Sequence, residues 1–134
     1  MRAEHTYDYA IIRVVPRVER GETINVGIIL SCPAVEFLEA RIELDESRLR
    51  ALDDTLDVEA TRAHLATIPL VCQGGPGAGP LGELPQRGRF HWLVSPRSTI
   101  IQTSPVHTGR TADPDAALER LLARMVRRYA PRGA

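Results

Sequence analysis

The stretch that decides the fold is YDYAIIRVVPRVERGETINVGIILSC, residues 7–32. Its first half is rich in Tyr, Ile and Val, and both alternating sets of side chains are apolar apart from Arg13, which is typical of a strand covered on two faces. Pro16 cannot donate a ladder hydrogen bond, so the strand should end near it. The polar run 19–22 contains Gly21, which can adopt a positive φ in a turn. A second, alternating strand follows, so the stretch predicts a central β-hairpin.

This hairpin holds a first candidate binding site. If it closes around Arg20, Arg13 lies opposite Gly27, and the missing side chain leaves room for a guanidinium beside Asn25. The alternative is that Gly27 marks a bulge or a close packing contact and that Arg13 pairs with a carboxylate such as Glu22. We favour the packing interpretation, because glycines inside strands usually have packing reasons.

The length and composition of the chain limit the class of protein to which it can belong. A chain of 134 residues, 43% hydrophobic, suits one domain that buries a core without metal or disulfide support. No apolar run approaches the roughly 18 residues of a membrane span, and the first residues lack the apolar stretch of a signal peptide, so we expect a cytoplasmic protein. In that compartment Cys32 and Cys72 are expected to be buried and reduced. All 17 basic residues are Arg, and the absence of Lys excludes Schiff-base chemistry, pyridoxal-phosphate attachment and Walker A nucleotide binding.

Charge is spread unevenly although the net charge is zero. Residues 36–59 carry nine acids against three Arg, whereas residues 84–112 carry four Arg and no acid. This asymmetry indicates a charged partner or ligand, while the zero net charge argues against general nucleic-acid binding.

The middle of the chain predicts one more strand and two helices. Residues 37–44 alternate between apolar and charged side chains, as in a half-exposed strand. Asp45 can cap a short helix, and Asp57 can cap a second one running over about 58–68. Pro69 is expected to disrupt the last turn of that helix.

The last third of the chain predicts a second hairpin and a long helix. Residues 90–104 read as two strands closed by the turn 95–98, followed by a polar, turn-rich exit over 104–109. The run 114–129 follows a capping Asp, begins with Pro and carries an apolar stripe at helical spacing. We therefore expect a single α+β domain: a mainly antiparallel sheet of two hairpins plus one strand, helices on one face, and a long C-terminal helix.

The second predicted hairpin is rich in groups that hold anions. Arginine with short hydroxyls suits a phosphate or carboxylate, because both donate hydrogen bonds without a metal. The alternative is that these hydroxyls only bond the backbone of local turns. With the first hairpin, the candidate anion site consists of Arg13, Asn25, Gly27, Arg97, Ser98, Gln102 and His107.

No stretch contains a complete catalytic or cofactor motif. Ser104 and His107 could act as nucleophile and base, but there is no GxSxG elbow and no evident acid to orient the imidazole. The glycine-rich run 73–82 lacks the GK[ST] ending of a phosphate loop. The His and Cys residues show no metal-ligand spacing. We predict no catalytic residue, no metal and no cofactor.

Three stretches carry a family resemblance: YDYAIIRVVPRVERGETINVGIIL at 7–30, LDESRLRAL at 44–52 and FHWLVSPRSTIIQTSPVHTG at 90–109. Over nearly its whole length the chain resembles DUF3037, an uncharacterised bacterial family without established catalytic residues. Members of this family are often encoded near HipA-like kinases, so the resemblance implies a protein partner, with a HipA-like kinase as the candidate.

Two functional hypotheses follow. The preferred one is a non-catalytic interaction or accessory protein, based on the charge asymmetry and the lack of a catalytic constellation. The other is a protein that binds a phosphate-bearing small molecule or nucleic acid through the candidate anion site.

Overall fold

The computed structural model of the chain describes residues 2–97 and 99–127. Within them, five strands form one open antiparallel sheet: β1 (His5–Val14), β2 (Ile24–Cys32), β3 (Phe37–Ile42), β4 (Ile101–Thr103) and β5 (His107–Thr111). The α-helices of the same residues are α1 (Glu46–Leu52), α2 (Val58–Gln73), α3 (Gln86–Leu93) and α4 (Pro114–Met125). Short 3₁₀ turns occupy Val18–Arg20, Pro33–Val35 and Pro76–Glu83.

Strand β1 is the centre of the sheet. The strand order in the sheet is β3-β2-β1, and β4 and β5 lie end to end along the other side of β1. Val14 pairs with Ile101 of β4, and His5 pairs with Thr111 of β5. The hairpin of β1 and β2 is confirmed, and its first strand is central because it has neighbours on both sides.

Helices cover both faces of this sheet. One core packs Ala10, Ile12 and Val14 of β1 against apolar residues of α1, α2 and α3, including Leu49, Leu65, Phe90 and Leu93. A second core packs Tyr7 and Ile11 of β1, with Ile28 and Leu30 of β2, against Ala117, Leu118, Leu121 and Leu122 of α4. The predicted α+β class, antiparallel sheet and C-terminal helix are confirmed. The helices, expected on one face, lie on two, because both alternating sets of β1 side chains are apolar and each needs cover.

A β-bulge sets the register of the central hairpin. Ile12 pairs with Gly27, but the next residue, Arg13, pairs with Asn25, so β2 has one extra residue, Val26. The predicted Arg13–Gly27 pairing is therefore wrong, and Gly27 faces Ile12 instead. The connection also differs from a tight turn centred on Arg20, since it contains the 3₁₀ turn Val18–Arg20, which is followed by Gly21 with φ 71°.

The second hairpin predicted over 90–104 is wrong. Residues up to Leu93 belong to α3, which buries Phe90 and Leu93 and leaves Trp92 43% exposed. The run FHWLV fits both periods: Phe90, Trp92 and Val94 alternate, while Phe90 and Leu93 lie one helical turn apart. Burial against the sheet selects the helical pair.

Helix α2 passes through Pro69 and continues to Gln73, so the prediction that it stops near Ile68 is wrong. Val71 and Cys72 beyond the proline are buried in the core, and Arg89 Nη2 donates a hydrogen bond to the Cys72 carbonyl at 3.3 Å. Tertiary contacts therefore hold the turn that proline weakens.

Helix α4 begins where the sequence predicted. The Asp113 carboxylate accepts a hydrogen bond from the Ala116 amide, and Pro114 is the first helical residue. The expected end at 129 lies outside the described residues. The predicted exit over 104–109 is partly regular, because β5 starts at His107. None of the described helices is both long and apolar enough to cross a membrane.

Candidate functional site

Three of the predicted site residues lie in one row across the sheet. Arg13 of β1 pairs with Asn25 of β2 on one side and with Gln102 of β4 on the other. Their side chains share the face that carries α4, because Ile11, two residues before Arg13, packs against α4. Asn25 Nδ2 donates to the Met125 carbonyl at 2.9 Å, so it caps the C-terminal end of α4.

The Arg13 guanidinium is the least satisfied group of that row. Its Nε is buried and has no hydrogen-bond partner among the described residues. The alternative pairing with Glu22 does not form, since Glu22 binds Arg20 at 2.5 Å. A buried donor without a partner loses the hydrogen bonds it made to water, which makes this position receptive to an acceptor.

Gly27 lies on the other face and has a packing role. A Cβ built at this position would be 2.6 Å from the Arg41 carbonyl oxygen and 2.9 Å from Ile42 Cδ1. The space that the missing side chain leaves is filled by β3 and by Ile12, and it does not accommodate Arg13. The packing interpretation of this glycine is confirmed.

Arg97 and His107 do not join Arg13. Arg97 donates to the carbonyls of Leu93 at 3.1 Å and Trp92 at 2.8 Å, so it caps α3 on the opposite side of the sheet. The His107 ring packs against Tyr9, with ring centroids 5.4 Å apart, on the α4 face. The four residue steps from Tyr9 to Arg13 span about 13 Å along β1. Ser98 lies outside the described residues, so the predicted set is split between the two faces.

The Ser104 hydroxyl has a structural role. It accepts a hydrogen bond from the Ile11 amide at 2.8 Å and donates one to the Pro105 carbonyl at 2.9 Å. The Ser104 amide donates to the Ile11 carbonyl at 2.8 Å. The hydroxyl thus continues the sheet ladder across the interruption between β4 and β5, and it is buried. This geometry leaves it without a base at hydrogen-bonding distance among the described residues.

A cleft of about 270 Å³ lies between α2, α3 and β4. Its floor is apolar and its rim carries the exposed Trp92, whose ring lies 4.3 Å from the Arg97 guanidinium carbon. The described lining residues include no carboxylate, and they are His64, Thr67, Ile68, Trp92, Leu93, Arg97, Thr99, Ile100, Ile101, Gln102 and Thr103. We call this site the Trp92 cleft. It can hold an apolar side chain beside a negative charge.

A polar network lies at the other end of the same face. Arg87 of α3 donates to the Asp8 carboxylate and, at 2.8 Å, to Ser31 Oγ, while Thr108 Oγ1 donates to Asp8 at 2.8 Å. Arg87 also stacks over Phe90 at 4.9 Å. Asp8, Ser31 and Thr108 are neighbours across three strands, so the network ties α3 to β2, β1 and β5.

Electrostatics keep the Asp8 carboxylate ionised. Burial raises the pKa of this group, but the hydrogen bonds from Arg87 and Thr108, with the charge of Arg87, outweigh it and the pKa falls below its usual value of 3.8. The sequence patterns did not predict this network. The signal was available, since Asp8 is the one charged residue on the β1 face that carries Ala10, Ile12 and Val14.

The cysteines are poor nucleophiles in this fold. Burial raises the pKa of Cys72 to about 12, and burial also raises the pKa of Cys32. Both are free thiols. Over residues 2–97 and 99–127 there is no group of three or more His, Cys, Asp or Glu side chains that could hold a metal ion.

These features define a small α+β protein whose sheet lies between helices and whose surface carries an apolar depression, the Trp92 cleft. The chain belongs to the DUF3037 family, because the family model described as "Protein of unknown function (DUF3037)" matches residues 9–126. The resemblance seen in the sequence is thereby confirmed. Comparison with curated proteins and with solved structures gave no match.

Proposed function

We propose that this protein is a non-catalytic accessory protein that binds a segment of a protein partner in the Trp92 cleft. The observation that carries the proposal is the exposed Trp92 ring, stacked with Arg97 at the edge of an apolar depression. Tryptophan and arginine are the residues most enriched among those that dominate binding energy at protein interfaces. An exposed tryptophan is otherwise costly, because its large apolar surface stays in water.

The charge of the cleft specifies the chemistry of the partner. Arg97 donates its hydrogen bonds to two backbone carbonyls and forms no ion pair with a described carboxylate. The cleft also lies mainly in the segment 84–112, which carries four Arg and no acid. The partner segment should therefore present an apolar anchor next to an Asp or Glu, because that charge would find the guanidinium uncompensated.

The side chains that could act as nucleophile, acid or base have structural roles, which supports a non-catalytic role for the protein. Ser104 continues the sheet ladder, Asp8 holds α3 to the sheet, and the thiols are buried. The family context favours a HipA-like kinase as the partner.

Co-expression with a HipA-like kinase encoded near the gene tests this proposal. We expect the two chains to co-purify, and Trp92 fluorescence should change on binding, since it is the only tryptophan of the chain. Trp92→Ala should weaken the complex at least tenfold, and Arg97→Ala should weaken it by a similar factor.

The matched control is Val35→Ala, which truncates an apolar residue of similar exposure, 44%, at the far end of the sheet. Recovery of this protein alone from the co-expression, or equal losses for Trp92→Ala and Val35→Ala, would contradict the proposal.

A further inference from the structure

Helix α4 covers only one half of its face of the sheet. Its ion pairs with the sheet reach towards β3: Arg41 of β3 binds Asp115 and, at 3.5 Å, Glu119 of α4. Beyond the helix, Arg127 binds Glu43 at 2.9 Å and Glu119 at 2.7 Å. The helix is thus held over β2 and β3. On this face Thr111 of β5, next to the connection to α4, is buried, whereas His107 of β5 is exposed and Gln102 of β4 is half-buried.

The uncovered half has a basic and aromatic floor. It consists of the Tyr9–His107 ring pair at one end and of Arg13 and Gln102 at the other. His107 is exposed, and the other three residues are half-buried. We call these four residues the open strip.

The neighbouring flank of α4 adds two more cations. At 3.6 residues per turn, Arg124 is turned about 140° from Glu119, and Arg120 lies between Arg124 and the solvent side of the helix. Since Glu119 points to β3, both arginines project on the side of the open strip. Both are exposed, and neither they nor Arg13 form an ion pair within the described part of the chain.

We propose that the open strip and this flank of α4 bind single-stranded nucleic acid. Three arginines without an ion pair to a described residue, Arg13 in the open strip and Arg120 and Arg124 on the flank of α4, provide contacts for successive phosphates. The Tyr9–His107 pair provides a platform on which a base can stack. The site is a shallow surface, whereas small-molecule sites are concave and bury most of their ligand, so the shape favours an extended polymer.

Because the net charge of the chain is zero, we expect the binding of nucleic acid to be weak. The acids that balance the arginines are concentrated elsewhere, with nine of them in residues 36–59, so attraction is local to the strip. We expect dissociation constants on the order of 10⁻⁴–10⁻⁶ M, as for sequence-independent binding. Duplex DNA should bind less well, because its bases are not free to stack.

Fluorescence anisotropy with labelled single-stranded RNA and DNA of about 12 nucleotides, a length in the range of known single-strand sites, tests the proposal. With three phosphate contacts at about −0.7 each, the logarithm of the association constant should fall with the logarithm of salt concentration at a slope of about −2. The double variant Arg120→Ala/Arg124→Ala removes two exposed side chains, so it should fold normally, bind about tenfold more weakly and reduce the slope to about −0.7.

Two further variants separate the strip from the rest of the surface. His107→Ala should weaken binding about fivefold or more by removing part of the stacking platform. Arg110→Ala is the matched control, because Arg110 lies on the same strand but on the opposite face, beside Glu4 at 3.8 Å, and it should bind like the wild type. The proposal is overturned by an absence of binding at low salt, by an equal loss for Arg110→Ala, or by displacement of the oligonucleotide by an equal concentration of a nucleoside triphosphate.

Discussion

At the scale of single residues, Gly27 shows how a strand position can depend on what it lacks. Two strands approach it so closely that a Cβ would be 2.6 Å from the Arg41 carbonyl oxygen, which belongs to the backbone and cannot rotate away. We expect Gly27→Ala to destabilise the protein by about 1–3 kcal/mol, as overpacking substitutions do. Urea denaturation measures this change.

A glycine in open space provides the control. A Cβ at Gly77 would meet no atom within 4 Å, so Gly77→Ala should leave the stability unchanged or raise it by up to about 1 kcal/mol. If both substitutions have the same effect, the close approach of β3 does not explain Gly27.

Asp8 should make the stability depend on pH in the acid range. Because its pKa is lower in the folded protein than the usual 3.8, the ionised group stabilises the fold above that value, and the contribution is lost as pH falls through the folded pKa. Asp8→Asn should therefore be less stable than the wild type at pH 7, and the difference should shrink at about pH 3.

Urea midpoints at the two pH values measure the effect of Asp8. Asp54→Asn serves as control, since Asp54 is exposed and forms no ion pair with a described residue. A constant difference between wild type and Asp8→Asn from pH 7 to pH 3 would show that the Arg87 contact does not act through charge.

At the scale of elements, α2 illustrates competition between local and tertiary preferences. Pro69 lacks the amide that would bond the Leu65 carbonyl, yet the helix continues for another turn. Proline is about 3 kcal/mol less favourable than alanine inside a helix. It also restricts the conformations of the unfolded chain, which offsets this cost by up to about 1 kcal/mol. We expect Pro69→Ala to stabilise the protein by about 1–2 kcal/mol in urea denaturation. A lower midpoint would mean that contacts of the proline ring with the core outweigh the missing hydrogen bond.

The elements differ in how far their own residues specify them. Helix α4 has a capping Asp, a Pro in the first position and four buried apolar residues at helical spacing, so its beginning could be predicted. Helix α3 has eight residues, no side-chain cap and a run that also alternates like a strand. Its conformation depends on Phe90 and Leu93 packing on the sheet, which local sequence does not encode.

At the scale of the whole molecule, β1 and β2 belong to both cores and should make unfolding cooperative. Their residues pack against α2 and α3 on one face and α4 on the other, so neither core can persist without the shared strands. We expect Leu118→Ala in α4 to cost about 2–5 kcal/mol. The loss should appear equally in helical circular dichroism and in the fluorescence of Trp92, which lies on the opposite face.

Non-coincident transitions in this variant would contradict a single cooperative unit. The matched variant on the other face is Leu65→Ala, because Leu65 is also almost fully buried, and it should shift both signals together.

The candidate sites could be predicted only in part. Arg13, Asn25 and Gln102 were identified as polar residues among apolar ones, and they do lie in one row. Their expected partner Arg97 belonged to a predicted hairpin that does not form, and His107, expected in the exit after that hairpin, lies beside Tyr9 instead. The Trp92 cleft and the Asp8 network combine residues far apart in the chain, and no local pattern contains that proximity.

The sequence by itself determined the central hairpin and the beginnings of the capped helices α1, α2 and α4, because strand alternation, capping acids and turn glycines act within a few residues. It also determined the family. Tertiary structure alone decided the bulge that turns Arg13 away from Gly27, the helical state of 86–93 and the two-sided cover of the sheet. Each of these depends on which apolar surfaces meet. That is a property of the whole packed chain, since burial rewards contacts between residues that are distant in sequence.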